Sequence, residues 1–227
     1  MPRVMIIGAS RGIGLEFARQ YAEDGWSVHA TTRDSDGAAA LRRLVGDIYL
    51  HHLDVRDDDA LLALDRALGD RAIDLLIHNA GIRVGGPEAL GTLAPERWLD
   101  VLHVNTIAPM RCAGALCERV AAGERKMMAF ISSWRGSISE NEDGGLYMLR
   151  SSKAALNACV KSLAIDLAPH GIIAVALHPG WVRTDMGGAA APLAVADGVV
   201  GLRSVIAGLT PMTSGRFFAY DGREIAW

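Results

Sequence analysis

The sequence predicts an α/β protein built on one doubly wound parallel sheet of about seven strands, with helices on both faces. Three observations predict it. Short apolar runs alternate with stretches of helical periodicity along the whole chain, the pattern of strand–helix units in a parallel sheet. The first run, Val4-Met5-Ile6-Ile7, breaks into Gly8-Ala9-Ser10-Arg11-Gly12-Ile13-Gly14 and then into a helix, the strand, turn and helix start of a phosphate-binding site. The 227 residues, 50% of them hydrophobic, suffice for one sizeable core, so residues 1–227 are expected to form a single domain.

Taken in order, Gly8 suits a tight turn, Gly12 lets the backbone approach a pyrophosphate, and Gly14 permits close helix packing. Three residues separate the first two glycines and one separates the second pair, unlike the common dinucleotide fingerprint. Ile13 to Asp24 has helical spacing with Gly25 as its C-terminal cap. Trp26 to Thr32 is a strand, Asp36 to Val45 a helix, Ile48 to Val55 a strand and Asp57 to Leu68 an amphipathic helix. Ile73 to His78 is apolar enough to be buried on both faces. Pro95 sits at a first helical position and opens a long helix to about Ala122 that Gly123 ends, kinked at Pro109. Lys126 to Ser132 is the next strand, and the polar, glycine-containing stretch Trp134 to Leu146 is a loop bordering the site. Tyr147 to Ala168 is a helix closed by Pro169-His170-Gly171, Ile172 to Leu177 a strand stopped at Pro179-Gly180, Val195 to Ala207 the last helix and Arg216 to Tyr220 the last strand. Right-handed crossovers joining such units give a Rossmann-type sheet.

Composition excludes several functions. A net charge of −3 and a pI near 6.2 leave no basic excess for nucleic acid or an anionic membrane. Cys112, Cys117 and Cys159 lack metal-ligand spacing, and each falls in an apolar helical pattern that predicts a reduced, buried thiol. No metal site is expected. The first strand begins by Val4 without a charged-then-apolar leader, and no apolar run approaches the roughly 20 residues of a membrane span. A cytoplasmic protein is expected.

In such a sheet the ligand lies at the carboxyl ends of the strands, so the polar residues just past each strand carry the information. The second strand ends in Thr31-Thr32-Arg33-Asp34, with Thr32 where an NAD-selective site would offer a carboxylate to the adenosine ribose. Arg33 follows it and Arg11 lies in the glycine turn, and two guanidiniums suit a 2′-phosphate. NADP(H) is therefore expected rather than NAD(H).

With these residues in view, the chain resembles the short-chain dehydrogenase/reductase family over nearly its whole length. The match runs through Asp54-Val55, Asn79-Ala80-Gly81, Asn105 in Val104-Asn105-Thr106-Ile107-Ala108-Pro109, Ile131-Ser132-Ser133, and His178-Pro179-Gly180-Trp181-Val182-Arg183-Thr184-Asp185. The ending Ser214 to Gly222 with Trp227 is similar to the C-factor and sniffer-type carbonyl reductase branch, usually NADP-linked. The resemblance implies a cofactor site of Gly8, Ser10, Arg11, Gly12, Ile13, Gly14, Arg33, Asp54, Val55, Asn79, Ala80, Gly81, Lys153, Pro179, Gly180, Val182 and Thr184. It implies that Ser133 orients a substrate carbonyl, that Lys153 holds the nicotinamide ribose, and that Asn105 holds a water. It also implies a homodimer or homotetramer through the two long helices.

One position departs from the family. Its chemistry uses a tyrosine four residues before the lysine, on one helical face. Here Leu149 stands there, in Leu149-Arg150-Ser151-Ser152-Lys153. Two sources of the missing proton are open. Tyr147, six residues before Lys153, is rotated by about 240° on an ideal helix but reaches inward if the helix starts only near Met148; otherwise water is the acid. Glu140, Glu142 and Asp143 read as a solvated acidic rim, and His178 as a hydrogen-bonded strand end. The expected function is an NADP(H)-dependent oxidoreductase acting on a small carbonyl or alcohol. The rival is an NADP(H)-binding regulatory or signalling protein, which Leu149 favours.

Overall fold

The structure, a computed structural model, describes residues 1–84 and 90–227. Strands β1 (Arg3–Ile7), β2 (Ser27–Thr32), β3 (Ile48–His52), β4 (Leu75–His78), β5 (Met127–Ile131), β6 (Ile173–His178) and β7 (Phe217–Ala219) form one sheet in the order β3-β2-β1-β4-β5-β6-β7. Every pairing is parallel. Helices α1 (Gly12–Glu23), α2 (Ser35–Arg42), α3 (Asp58–Leu68), α4 (Pro95–Leu102), α5 (Ala108–Ala121), α6 (Tyr147–Asp166) and α7 (Val195–Ala207) cover it. The expected doubly wound α/β architecture is present.

Strand periodicity divides the core between the two faces. Val4 and Ile6 of β1 pack with Phe17 and Tyr21 of α1 and Leu202 of α7, whereas Met5 and Ile7 pack with Leu64 of α3, Leu116 of α5 and Val160 of α6. Helix ends follow the local chemistry. Gly25 adopts φ +76°, and the Trp26 amide behind it donates to the Tyr21 carbonyl at 3.0 Å, closing α1 as a glycine C-cap does. The Asp57 carboxylate accepts from the amides of Asp59 and Ala60 and starts α3.

Several expectations need correction. The long helix from Pro95 is interrupted by a π-turn, His103–Ile107, in which the Ala108 amide donates to the His103 carbonyl. Pro109 has no N–H and crowds the carbonyl four residues earlier, and the widened turn before it relieves both problems. The third strand stops at His52 rather than Val55, because Leu53 makes one last ladder bond to Thr32 and the chain turns at Asp54 into α3. The loop after β5 contains a short 3-10 turn, Trp134–Gly136. Cys112 is buried, but Cys117 and Cys159 are only half-buried on their helix faces. Among the described residues no helix is long and apolar enough to cross a membrane.

Candidate active site

The order of strands reverses between β1 and β4, which run side by side with Ile7 opposite His78. The Asn79 and Ala80 amides both donate to the Ile7 carbonyl at 2.9 Å, so the chain leaving β4 wraps under the turn leaving β1. That contact needs glycine. Gly8 has φ +84°, and a Cβ there would lie 2.7 Å from the Ala80 backbone; at Gly14 it would lie 2.1 Å from the Gly8 carbonyl oxygen. The Thr31 hydroxyl accepts from the Gly8 amide at 2.9 Å, and Asn79 Nδ2 donates to the Gly8 carbonyl at 2.7 Å. Gly12, at φ +53°, faces only the Thr184 methyl, 3.3 Å from where its Cβ would be. The first turn of α1 has no side-chain cap, so its leading amides are left for an anion.

A cavity of about 490 Å³ extends from this turn. Its walls include Gly8, Ser10, Arg11, Gly12, Ile13, Arg33, Val55, Asn79, Ala80, Gly81, Ser133, Lys153, Pro179, Gly180, Val182 and Thr184, the larger part of the residues expected from the sequence. Gly14 lies behind the turn as its packing partner. Asp54 is outside the lining, where its carboxylate accepts from the Arg56 amide at 3.0 Å and pairs with that guanidinium at 3.6 Å.

At the adenosine end, Asp34 is occupied as the N-cap of α2, accepting from the Gly37 amide at 2.6 Å. Thr32 Oγ1 donates to the Asp34 carbonyl at 3.2 Å. Among the described residues, neither Thr32 nor Asp34 therefore directs a carboxylate at a ribose there. Arg33 is exposed and its guanidinium has no partner among the described residues.

At the other end, Ser133 caps the 3-10 turn, its hydroxyl accepting from the Arg135 amide at 3.2 Å. Lys153 is buried, and its Nζ donates to the Ile131 carbonyl at 2.7 Å. Burial alone pulls its pKa down to about 8. Gly136 lets the loop touch α6, since a Cβ there would lie 2.8 Å from the Lys153 backbone. Leu149 lines the cavity one turn before Lys153, whereas Tyr147 is the first residue of α6 and is not among the lining residues. Asn105 is fully buried in the π-turn. It accepts from the Ile82 amide at 2.8 Å and donates to the Ile82 carbonyl at 2.9 Å and to Ser152 Oγ at 3.0 Å, bracing the cavity wall from behind.

Two sequence readings are revised. His178 lines the cavity with a buried, unpartnered Nδ1, and desolvation lowers its pKa to about 4; the expected hydrogen bond at that nitrogen is absent among the described residues. Asp143 is no free rim acid, because Arg135 and Arg150 both pair with it and hold its carboxyl below the usual range. Arg150 also donates to the carbonyls of Gly144 and Gly145 at 3.1 Å, tying the loop to α6.

A glycine turn at a sheet's switch point, with serine and lysine at the far end of one cavity, defines a dinucleotide-site protein of the Rossmann type. Residues 2–192 match the short chain dehydrogenase model, and the chain belongs to that family. It is 44% identical to the C-signal protein of Myxococcus xanthus over 155 residues, 68% of this chain and 93% of that protein. Among solved structures it is similar to the carbonyl reductase Sniffer of D. melanogaster, with 33% identity, a TM-score of 0.92 and full coverage of both chains. A carbonyl reductase from Pseudomonas aeruginosa in complex with NADP gives 33% identity and a TM-score of 0.87, again over both whole chains.

Proposed function

We propose that the protein is an NADP(H)-dependent oxidoreductase that interconverts a small carbonyl compound and its alcohol. The observation that carries this reading is one cavity joining the glycine turn to Ser133 and Lys153. The turn fits the cofactor, since the space a Cβ would fill at Gly8 and Gly14 is taken up by backbone that holds the cradle shut on one side, and the leading amides of α1 are left for an anion. Arg11 and Arg33 recognise the 2′-phosphate, and the Asp34 carboxylate is engaged with the Gly37 amide as the cap of α2.

When bound, the dinucleotide supplies or accepts the hydride. The Ser133 hydroxyl orients the carbonyl oxygen, and the Lys153 ammonium, fixed by Ile131, holds the nicotinamide ribose with its two remaining N–H groups. Asn105 acts as a positioning residue through Ile82 and Ser152. Leu149 has no proton to give and Tyr147 does not line the cavity, so water is the acid. Loss of a positioned acid costs typically 10²–10⁴-fold, which slows the reaction without abolishing it.

The test is a titration of the full chain with NADPH, followed by NADPH oxidation with a panel of aldehydes and ketones. Binding with slow, substrate-dependent oxidation is expected. Binding without oxidation above background would make the protein a dinucleotide-responsive binder, and failure to bind NADPH or NADH would remove the cofactor assignment.

A further inference from the structure

The rim of the cavity is electrostatically one-sided. Arg11, Arg33, Lys153 and Arg183 line it, and Asp185 is the only carboxylate among the described lining residues. That carboxylate pairs with Arg11 rather than with Arg183. Its Oδ2 accepts from Arg11 Nη1 at 2.9 Å, joining the flap after β6 to the glycine turn, while both side chains remain about three-quarters exposed. The flap is otherwise tied to itself. Trp181 Nε1 donates to the Gly187 carbonyl at 2.8 Å, the Gly187 amide to Thr184 Oγ1 at 3.1 Å, and the Gly188 amide to the Thr184 carbonyl at 2.8 Å. At its base the Arg183 amide donates to the Leu193 carbonyl at 2.9 Å.

Arg11 is thus held by an anion already in the protein, while Arg33 has none among the described residues. One guanidinium fork is best filled by one oxyanion, and a phosphate brings more charge than a carboxylate. We infer that Asp185 is a displaceable counter-ion for Arg11, surrendering it to the cofactor's 2′-phosphate and so lowering the protein's discrimination between NADP(H) and NAD(H). This rests on the dinucleotide reading above. A ligand without the 2′-phosphate leaves the pair intact and does not feel Asp185. The cost of displacement is that of an exposed ion pair, small but measurable.

Isothermal titration calorimetry of the full chain with NADP⁺, NAD⁺, 2′,5′-ADP and ADP tests this, on the parent, Asp185→Asn, Arg11→Met and the double variant. Asp185→Asn is expected to tighten NADP⁺ and 2′,5′-ADP by about two- to fivefold, leave NAD⁺ and ADP unchanged, and lose its effect when Arg11 is methionine. Equal tightening of NAD⁺, weakening of both dinucleotides as for a latch across the cleft, or no change at all overturns the inference. A parent chain that binds none of the four ligands overturns the dinucleotide reading itself, a result separate from all of these.

Discussion

On α6, Leu149 and Lys153 share one face and one cavity, but only the lysine carries a proton. Replacing the leucine with a phenol restores an acid one turn from an ammonium that burial has brought to about 8, close enough to neutrality to assist it. Leu149→Tyr is therefore expected to raise kcat for NADPH-dependent carbonyl reduction by about 10²–10⁴-fold with little change in NADPH affinity; steady-state kinetics and a binding titration measure the two. An unchanged kcat would place the limitation elsewhere than in proton delivery. A second prediction concerns Gly8, where φ is +84° and a Cβ would strike the Ala80 backbone. Gly8→Ala should destabilise by at least about 1–3 kcal/mol in urea unfolding and abolish dinucleotide binding, because the turn cannot keep its path. These residues were legible in the sequence because their constraint is local: a turn that only glycine fits, and a spacing of four on a helix. The Arg11–Asp185 pair was not, since its partners lie 174 positions apart and nothing in either neighbourhood names the other.

The π-turn between α4 and α5 shows what an element contributes that a residue list does not. Pro109 signalled a disturbance in the helix, but periodicity has no means of choosing between a kink and a widened turn. The widened turn sets Asn105 where it bonds both backbone groups of Ile82 and the hydroxyl of Ser152, connecting the loop after β4 to α6 beside Lys153. Asn105→Ala removes the partner of both Ile82 backbone groups, while Ser152 keeps its bond to the Leu149 carbonyl, and should cost about 1–3 kcal/mol of unfolding free energy. If its role is to position the wall rather than to hold substrate, KM and NADPH affinity should both weaken, and Asn105→Asp should recover part of the stability through the Ile82 amide. Chemical denaturation and binding titrations check this, and unaltered cofactor affinity in the alanine variant would count against the positioning role. The strand ends were less legible than the strands. β3 stops at His52 because the chain must turn at Asp54, a tertiary demand that the apolar character of Leu53 and Val55 conceals.

Across the whole molecule, the alternation of strands and helices made the sheet legible, since a segment buried on both faces has few other ways to satisfy its backbone. What the pattern did not reveal is how many histidines the sheet buries. His78 lies fully enclosed between β1 and β5, its pKa lowered to about 3 by desolvation and then by Lys153. His178 is lowered to about 4 by desolvation, with Arg223 adding to the effect. His29 falls to about 4, first by burial and then by His51, whose ring nitrogen sits 2.9 Å away, and by Arg3 and Arg71. Each folded pKa lies below the ordinary 6.5, so the unfolded chain binds more protons between the two values and stability rises with pH in that interval. The full contribution is present above about pH 6.5 and is lost as pH falls toward 4 and then 3. Each histidine adds a slope of up to about 1.4 kcal/mol per pH unit. Thermal melts should therefore show Tm falling from pH 7 to 5, before most carboxylates begin to titrate. Replacing His29 with Gln, which keeps a hydrogen bond to His51 without the titration, should flatten that fall while leaving Tm at pH 7.5 within a few degrees. A Tm independent of pH across this range would mean that these imidazoles reach water in the folded state.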